Sequence, residues 1–203
     1  MMIYPETYEG RFWNNPKIVE YFSQKPPDPL VIERLSRIPE PRAKIMLDIG
    51  CGTGRNAIAA IDLGFRVCMC DPNPAMVEAA TRNVKSRLDG SIASQRIIYG
   101  TMTALPYRSN LFDVVVTCGV LHQAGALAQY SLTMSELGRV TREGCIVILN
   151  VFTNKVVDPR LVRITGEPHS FITVEGLHMT LLPKQIFYEM MSEYGFQLEE
   201  EIC

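Results

Sequence analysis

Residues Met46 to Gly54 read Met-Leu-Asp-Ile-Gly-Cys-Gly-Thr-Gly, and Asp71 follows seventeen positions after the last of these glycines. A short apolar run that meets three alternating glycines predicts a buried strand that turns sharply into a helix, where the backbone passes close to a bound ligand. An acid at the end of the next strand can accept hydrogen bonds from a ribose. The combination indicates a site for a nucleoside-containing cofactor.

The spacing of the glycines separates two kinds of cofactor. The dinucleotide fingerprint is G-x-G-x-x-G, whereas the glycines here are Gly50, Gly52 and Gly54. Arg55 occupies the place of the third dinucleotide glycine. Asp48 lies two residues before the first glycine, where a carboxylate would repel a pyrophosphate and attract a cationic group. The pattern disfavours an NAD-dependent oxidoreductase, which we retain as an alternative, and it suits a positively charged cofactor.

Residues 44 to 152 resemble the class I S-adenosylmethionine-dependent methyltransferases, because five motifs of that family occur in order. The stretches that carry the resemblance are Leu47 to Gly54, Cys70 to Met76, Ala104 to Tyr107 with Phe112 to Val116, and Leu137 to Val140 running into Glu143 to Ile148. The resemblance implies a three-layer α/β fold, a doubly wound, mostly parallel sheet of Rossmann-like methyltransferase type. It also implies S-adenosylmethionine as the cofactor.

The family's cofactor contacts can be carried over residue by residue. Gly50 and Gly52 would let the backbone approach the cofactor, and Asp48 would hold the loop or the cofactor's amino group. Asp71 would bind the ribose, although both acids could instead be turn or helix caps. The adenine would lie along Thr101, which stands where many members carry an acid. The implied cofactor-binding set is Asp48, Gly50, Cys51, Gly52, Gly54, Asp71, Pro72, Thr101, Met102, Cys118 and Gly119.

Methyl transfer from a sulfonium is an in-line displacement, so the enzyme must mainly align the reacting atoms and exclude water. His122 follows the fourth predicted strand at the carboxyl edge of the sheet, where open α/β sheets bind their ligands. It is our candidate catalytic residue, as a general base. It could equally pair with the cofactor's carboxylate or cap the following helix, and we favour such positioning. A protein that keeps the fold and binds the cofactor without turnover is a second alternative.

Two segments lie outside the resemblance, residues 1 to 29 and 153 to 182. In this family the substrate cap is usually built from such flanking segments. We therefore divide the chain into an N-terminal cap segment, 1–29, and a methyltransferase domain, 30–203, with a substrate-cap insertion at 153–182. Aromatic side chains in the first segment could lie near the cationic sulfonium, or they could simply pack an amphipathic helix. The candidate acceptor-binding residues are Tyr4, Tyr8, Trp13 and His169.

Size, charge and composition limit the classes of binding partner that the chain is expected to have. The chain has 203 residues, a net charge of −2 and a sequence pI near 6.0, so it carries no global field to hold a polyanion. The fourth predicted strand runs into Thr117-Cys118-Gly119-Val120, not into the Asp/Asn-Pro-Pro-Tyr of enzymes that methylate base amines. We expect a cytoplasmic enzyme that acts on a small molecule. Nucleic acid, membrane and metal partners are not indicated.

Six cysteines occur without paired C-x-x-C spacing, which favours reduced core thiols over a metal site or disulfides. Alternation of strands and helices predicts a parallel sheet covered on both faces. A hairpin is predicted around Gly166. The final antiparallel strand that the family typically has is either lost here or replaced by part of 161–182, and we favour replacement because an unpaired last strand would leave an exposed edge. The predicted strands are Ile45–Ile49, Arg66–Cys70, Arg96–Tyr99, Asp113–Thr117, Cys145–Phe152 and Phe196–Ile202.

Overall fold

The computed structural model describes residues 8–85, 87–88, 96–155 and 158–199, and of Tyr8 it describes the backbone only. Tyr4, Cys203 and residues 200–202 of the last predicted strand lie outside the described residues.

The centre of the fold is a five-stranded parallel sheet with the strand order β3-β2-β1-β4-β5. Its strands are β1 (Ile45–Ile49), β2 (Arg66–Asp71), β3 (Ile97–Tyr99), β4 (Phe112–Cys118) and β5 (Thr141–Asn150). The central strand β1 is buried on both sides, and its Leu47 lies in register with Cys68 and Val115. This order places the ends of β1, β2 and β4 next to one another, and the predicted parallel α/β sheet is confirmed.

Helices cover both faces of the sheet. The described α-helices are α1 (Tyr8–Trp13), α2 (Pro16–Ser23), α3 (Pro29–Ser36), α4 (Arg55–Asp62), α5 (Pro74–Val84), α6 (Leu127–Val140) and α7 (Lys184–Glu193). Helices α3 to α7 cover the sheet, whereas α1 and α2 pack against α5. One core cluster joins α3, α4 and α5 to the sheet, and it includes Leu35, Ala57, Ala80, Val67 and Val116. A second joins α6 and α7 to the other face, and it includes Leu137, Phe187, Leu47 and Val115. The alternation of the strand residues between the two clusters produces the three layers.

The insertion forms a separate antiparallel sheet of β6 (Val162–Arg163), β7 (Ser170–Ile172) and β8 (His178–Thr180). The predicted hairpin is present, with shorter strands, and β8 adds a third strand that the sequence did not signal. β8 follows a turn in which Gly176 has a φ of +79°, and the N–H of Thr173 donates to the carbonyl of Leu177 at 2.9 Å. Because these strands form their own sheet, the expected replacement strand beside β5 is wrong.

The last predicted strand is also wrong for its described part, residues 196–199, which form no strand. Gly195, with a φ of +83°, ends α7, and the N–H of Phe196 donates to the carbonyl of Met191 at 3.0 Å. This is the hydrogen bond that closes a helix through a left-handed glycine. Phe196 packs against the core cluster of α6 and α7. Its apolar side chain therefore packs at the end of α7.

Across the described ranges, the helices are too short or too polar to cross a membrane.

Candidate functional site

The loop between β1 and α4 brings the backbone to the carboxyl edge of the sheet. Gly50 and Gly52 have φ values of +63° and +54°, a region that side chains other than glycine rarely adopt. A Cβ at Gly50 would stand 2.4 Å from Cγ2 of Val120, so this glycine allows the loop after β4 to pack closely. A Cβ at Gly52 would meet nothing within 4 Å, so that position faces open space.

Gly54, the third glycine, has a different surrounding. It precedes the first residue of α4, and a Cβ there would lie 3.4 Å from Cβ of Ala80 and 3.7 Å from Cγ1 of Val84. Gly54 therefore lies against α5, and it is not among the residues that line the cleft. Its missing side chain allows α4 and α5 to approach each other.

Asp71, at the end of β2, is buried and holds two loops together. Its Oδ2 accepts a hydrogen bond from the N–H of Gly52 at 3.0 Å. Its Oδ1 accepts bonds from the backbone and side-chain amides of Asn73, at 2.9 Å and 2.8 Å. Burial raises the pKa of Asp71, and the three hydrogen bonds oppose that rise. Since each carboxylate oxygen can accept two bonds, Oδ2 keeps capacity for a further donor.

Asp48 in β1 is a buried carboxyl group with one unsatisfied oxygen. Among the described residues, its Oδ2 has no hydrogen-bond partner, and only 2% of Asp48 is exposed. Burial raises the pKa of Asp48 to about 7, Arg55 opposes the rise, and the nearby charge of Asp71 adds to it. An unpartnered buried acceptor is costly, so this oxygen requires either a proton or a donor from a ligand.

These groups meet in a cleft of about 250 Å³ at the carboxyl edge of the sheet. All the predicted cofactor-binding residues except Gly54 line it, namely Asp48, Gly50, Cys51, Gly52, Asp71, Pro72, Thr101, Met102, Cys118 and Gly119. Residues that the sequence reasoning missed also line it, among them Phe22, Asn56, Asn73, Gly100, Gln123 and Gln129. Gly100 was detectable as a glycine directly after a predicted strand, and Asn73 as a polar residue two positions after Asp71.

The loop after β3 is held against helix α6. The backbone N–H of Leu105 donates to Oε2 of Glu136 at 2.6 Å. Arg139 donates to the carbonyls of Leu105 and Tyr107, at 2.9 Å and 2.6 Å, and it forms an ion pair with Glu136. The loop therefore has a defined position beside Thr101, where the adenine is predicted.

The N-terminal helices lie over the cleft. Trp13 and Phe22 both line it, and their ring centroids are 5.7 Å apart. The same two rings pack against a small core of Val19, Met76 and Ala79. Trp13 thus combines both of the roles that its sequence suggested, lining a pocket and packing amphipathic helices.

The segment between α2 and α3 is tied to the glycine loop. Arg55 donates to the carbonyl of Pro26 at 2.8 Å, and the N–H of Asp28 donates to Oδ1 of Asn56 at 2.9 Å. Both contacts join the N-terminal segment to the first turn of α4. The described part of the predicted cap segment therefore covers the glycine cleft itself.

His122 lies in a short 3-10 turn, Leu121–Gln123, and only 5% of it is exposed. Burial lowers its pKa to about 4. Its ring centroid is 4.5 Å from that of Phe152, and its Nδ1 has no hydrogen-bond partner within the described residues. Val120 and Gln123 line the cleft, whereas His122 does not. A neutral, buried ring in this position is placed for packing under the loop after β4.

The other acceptor-binding candidates are Tyr4, Tyr8 and His169. Tyr4 and the side chain of Tyr8 lie outside the described residues, and His169 lies half-buried in the turn before β7, away from the cleft lining. The two flanking segments nevertheless meet, because Nδ1 of His178 in β8 contacts Oε1 of Glu9 in α1. Thr180 then joins the insertion to the loop after β4, through a bond of its hydroxyl to the carbonyl of Ala124 at 2.6 Å.

The cysteines within the described ranges are free thiols, namely Cys51, Cys68, Cys70, Cys118 and Cys145. In that part of the chain, His, Cys, Asp and Glu side chains form no group of three that could hold a metal ion.

Comparison with known proteins identifies the relatives of this chain. The family model of the methyltransferase domain matches residues 47–149. The chain is 25% identical over 119 residues to a protein of Encephalitozoon cuniculi with a provisional methyltransferase name. It is 27% identical over 168 residues to the ubiquinone/menaquinone biosynthesis C-methyltransferase of Nitrobacter hamburgensis. These alignments cover 59% and 74% of this chain, and they span 50% and 65% of the two relatives.

Among solved structures, the fold is similar to that of a SAM-dependent methyltransferase from Methanosarcina mazei. The TM-score is 0.67 at 20% sequence identity, and the match covers 87% of this chain and 88% of the other.

Proposed function

Because the chain belongs to the class I S-adenosylmethionine-dependent methyltransferases, we propose that it binds S-adenosylmethionine in the glycine cleft and methylates a small-molecule acceptor. The observation that carries this proposal is Asp48, a residue of the cleft lining whose buried Oδ2 has no hydrogen-bond partner within the part of the chain that the structure describes. The α-ammonium group of the cofactor is a donor of the matching charge. A pyrophosphate at this place would leave the oxygen unsatisfied and add repulsion.

The other residues of the cleft suit the rest of the cofactor. Asp71 has an accepting position left on Oδ2 for a ribose hydroxyl, in addition to the bond from Gly52. The open space beside Gly52 allows the ligand to approach the backbone. Thr101 and Met102 line the cleft at the start of the loop that follows β3. This is the position proposed for the adenine.

When bound, S-adenosylmethionine supplies a methyl group on a sulfonium that departs as a neutral thioether. The chain's residues then have two tasks, to orient the ligand and to exclude water. In this proposal Asp48 holds the α-ammonium group and Asp71 holds the ribose. Trp13 and Phe22 cover the cleft and present apolar ring surface to the reacting centre. No protein nucleophile is needed for the displacement.

The residues proposed for the acceptor side are neutral. Beyond Gly119, the cleft is lined by Val120, Gln123 and Gln129, with Trp13 above. Two amide side chains and an aromatic ring favour an uncharged small molecule that combines apolar surface with hydrogen-bonding groups. Since burial lowers the pKa of His122 to about 4, positioning is a better role for it than proton removal near neutral pH.

Turnover with an acceptor library tests this proposal. The library should include hydroxyl, amine, thiol and activated carbon nucleophiles, and S-adenosylhomocysteine is measured by mass spectrometry. We expect product with at least one acceptor class, and about tenfold less or lower with Asp71→Ala when the cofactor concentration lies below the wild-type dissociation constant. Cofactor binding without turnover on any class would favour the inactive binding protein, and failure to bind the cofactor would contradict the proposal.

A further inference from the structure

We propose that Asn14 is a positioning residue, which couples the seating of the N-terminal helices to the orientation of the Asp71 carboxylate through the side chain of Asn73. The inference rests on the proposed function, since it concerns the group that would bind the ribose.

Asn14 lies between α1 and α2 and uses both ends of its amide. Its Oδ1 accepts a hydrogen bond from the N–H of Ala75 at 2.9 Å, in the first turn of α5. Its Nδ2 donates to the carbonyl of Gly10 at 2.7 Å and lies 3.5 Å from Oδ1 of Asn73. The bond from Ala75 fixes which end of the amide is which, so Asn14 must present its donor end to Asn73.

Asn73 passes this orientation on to Asp71. Its Nδ2 donates to Oδ1 of Asp71 at 2.8 Å, while its Oδ1 faces Asn14. A reversed Asn73 amide would turn a carbonyl oxygen towards the carboxylate and an NH2 group towards the donor of Asn14. Both contacts would be repulsive, so one arrangement of the two amides satisfies all partners. Asn73 is 5% exposed and Asp71 is 4% exposed, which limits competition from water.

The same helices carry the rings that cover the cleft. Trp13 directly precedes Asn14, and Phe22 follows in α2, and both rings line the cleft. Their attachment to α5 consists of the apolar cluster with Met76 and Ala79 and the polar bond from Ala75 to Asn14. Asn14 thus contributes both to the packing of the N-terminal helices on α5 and to the orientation of Asp71. By linkage, a ligand that binds Asp71 also stabilises the packed position of these helices.

Asn14→Asp separates this role from simple helix capping. The new carboxylate can still accept the bond from Ala75, and negative charge is favourable at a helix N-terminus. It can no longer donate to Asn73, whose amide would turn and lose its bond to Asp71. Asn15→Asp is the matched control, because Asn15 is exposed and its Oδ1 accepts a bond from the N–H of Lys17 that a carboxylate also accepts. Both variants add the same charge.

The experiment measures the dissociation constant for S-adenosylhomocysteine in the full chain, together with the thermal midpoint without ligand. We expect Asn14→Asp to bind about three- to tenfold more weakly than Asn15→Asp, the effect of one lost hydrogen bond. The midpoint of Asn14→Asp should be the lower of the two, because its carboxylate also loses the bond to the carbonyl of Gly10. The preference for S-adenosylhomocysteine over its 2′-deoxy analogue should fall in Asn14→Asp only. A lower midpoint with unchanged affinity and preference would show a merely structural role and overturn the proposal.

A double-mutant cycle identifies the route. If Asn14 acts through Asn73, Asn14→Asp should cost no further affinity once Asn73→Ala has been made, whereas additive losses would overturn the relay. Asn14→Ala is measured in parallel, so that one variant that fails to fold still leaves a cycle. Wild-type protein that does not bind S-adenosylhomocysteine would remove the proposed function and this inference together. Wild-type binding with equal affinities of Asn14→Asp and Asn15→Asp would remove this inference alone.

Discussion

The N–H of Gly52 donates a hydrogen bond to Oδ2 of Asp71 at 3.0 Å, and this contact joins two loops whose residues are nineteen positions apart in the sequence. A hydrogen bond within the protein itself thus connects the glycine loop to the end of β2. A site that is organised in advance does not spend binding free energy on ordering its loops.

Glycine substitutions should separate packing from ligand contact. Gly52→Ala places its methyl group in open space and should lower S-adenosylhomocysteine affinity about tenfold or more, a loss of about 1.4 kcal/mol. Gly144→Ala is the control, because its φ is +73°, its Cβ would also meet nothing within 4 Å, and it lies near the start of β5. Both should lose similar unfolding free energy from strain, about 1–2 kcal/mol. Equal ligand affinity in the two variants would place the ligand elsewhere.

Asp48→Asn should make the protein more stable at high pH. Because burial raises the pKa of Asp48 to about 7 from a reference value of 3.8, the folded state binds more protons than the unfolded state between these values. Stability from this group is therefore lost as pH rises from about 4 to 7. Urea unfolding should show no gain for the variant near pH 4 and a gain on the order of 2–4 kcal/mol at pH 8. A gain that does not depend on pH would contradict the buried charge.

His122→Gln should leave the pH dependence of turnover unchanged between pH 6 and 8. Burial lowers the pKa of His122 to about 4 from 6.5, so the ring is neutral throughout that range. The folded state binds fewer protons than the unfolded state between the two values, so wild-type protein loses stability from this group as pH falls through that interval. The variant should lack that loss in urea unfolding. If the wild-type rate rises with pH near neutrality and this rise is absent in His122→Gln, His122 acts as a general base.

Trp13→Ala should weaken binding of S-adenosylmethionine more than binding of S-adenosylhomocysteine. If the ring faces the sulfonium, the charged ligand gains a cation–π interaction of ~0.5–2 kcal/mol that the neutral one lacks. Tyr21→Ala is the control, since Tyr21 lies in α2, is 55% exposed and is absent from the cleft lining. If Trp13→Ala loses the same affinity for both ligands, the ring covers the cleft but makes no cation–π interaction with the sulfonium.

The sequence could predict those elements that depend only on residues close together along the chain. Strands β1 to β5, the glycine loop and Asp71 follow from short apolar runs, alternating glycines and one acid, and the structure has them within a few residues of the predicted bounds. Gly54 was assigned to the cofactor together with the other two glycines, because the motif does not distinguish among them. Its position against Ala80 depends on tertiary packing, which the motif does not contain.

Contacts between distant segments were beyond the reach of the sequence. The bond between Asn14 and Ala75 joins residues 61 positions apart, and the bond between Arg139 and Leu105 joins residues 34 apart. The burial of His122 depends on Phe152, which comes from another loop. The predicted last strand failed because Phe196 has the apolar pattern of a strand residue but packs at the end of α7.

Calorimetric titration with S-adenosylhomocysteine and NAD, on wild-type protein and on Asp71→Ala, tests whether the glycine cleft binds S-adenosylmethionine rather than a dinucleotide. We expect saturable binding of S-adenosylhomocysteine to the wild type and a loss of about 1.5–3 kcal/mol in Asp71→Ala, the usual contribution of hydrogen bonds to a charged group. We expect this site to discriminate against a pyrophosphate cofactor, so NAD should not bind at the same concentrations. Tight binding of NAD, or S-adenosylhomocysteine affinity that is equal in the two proteins, would contradict these expectations.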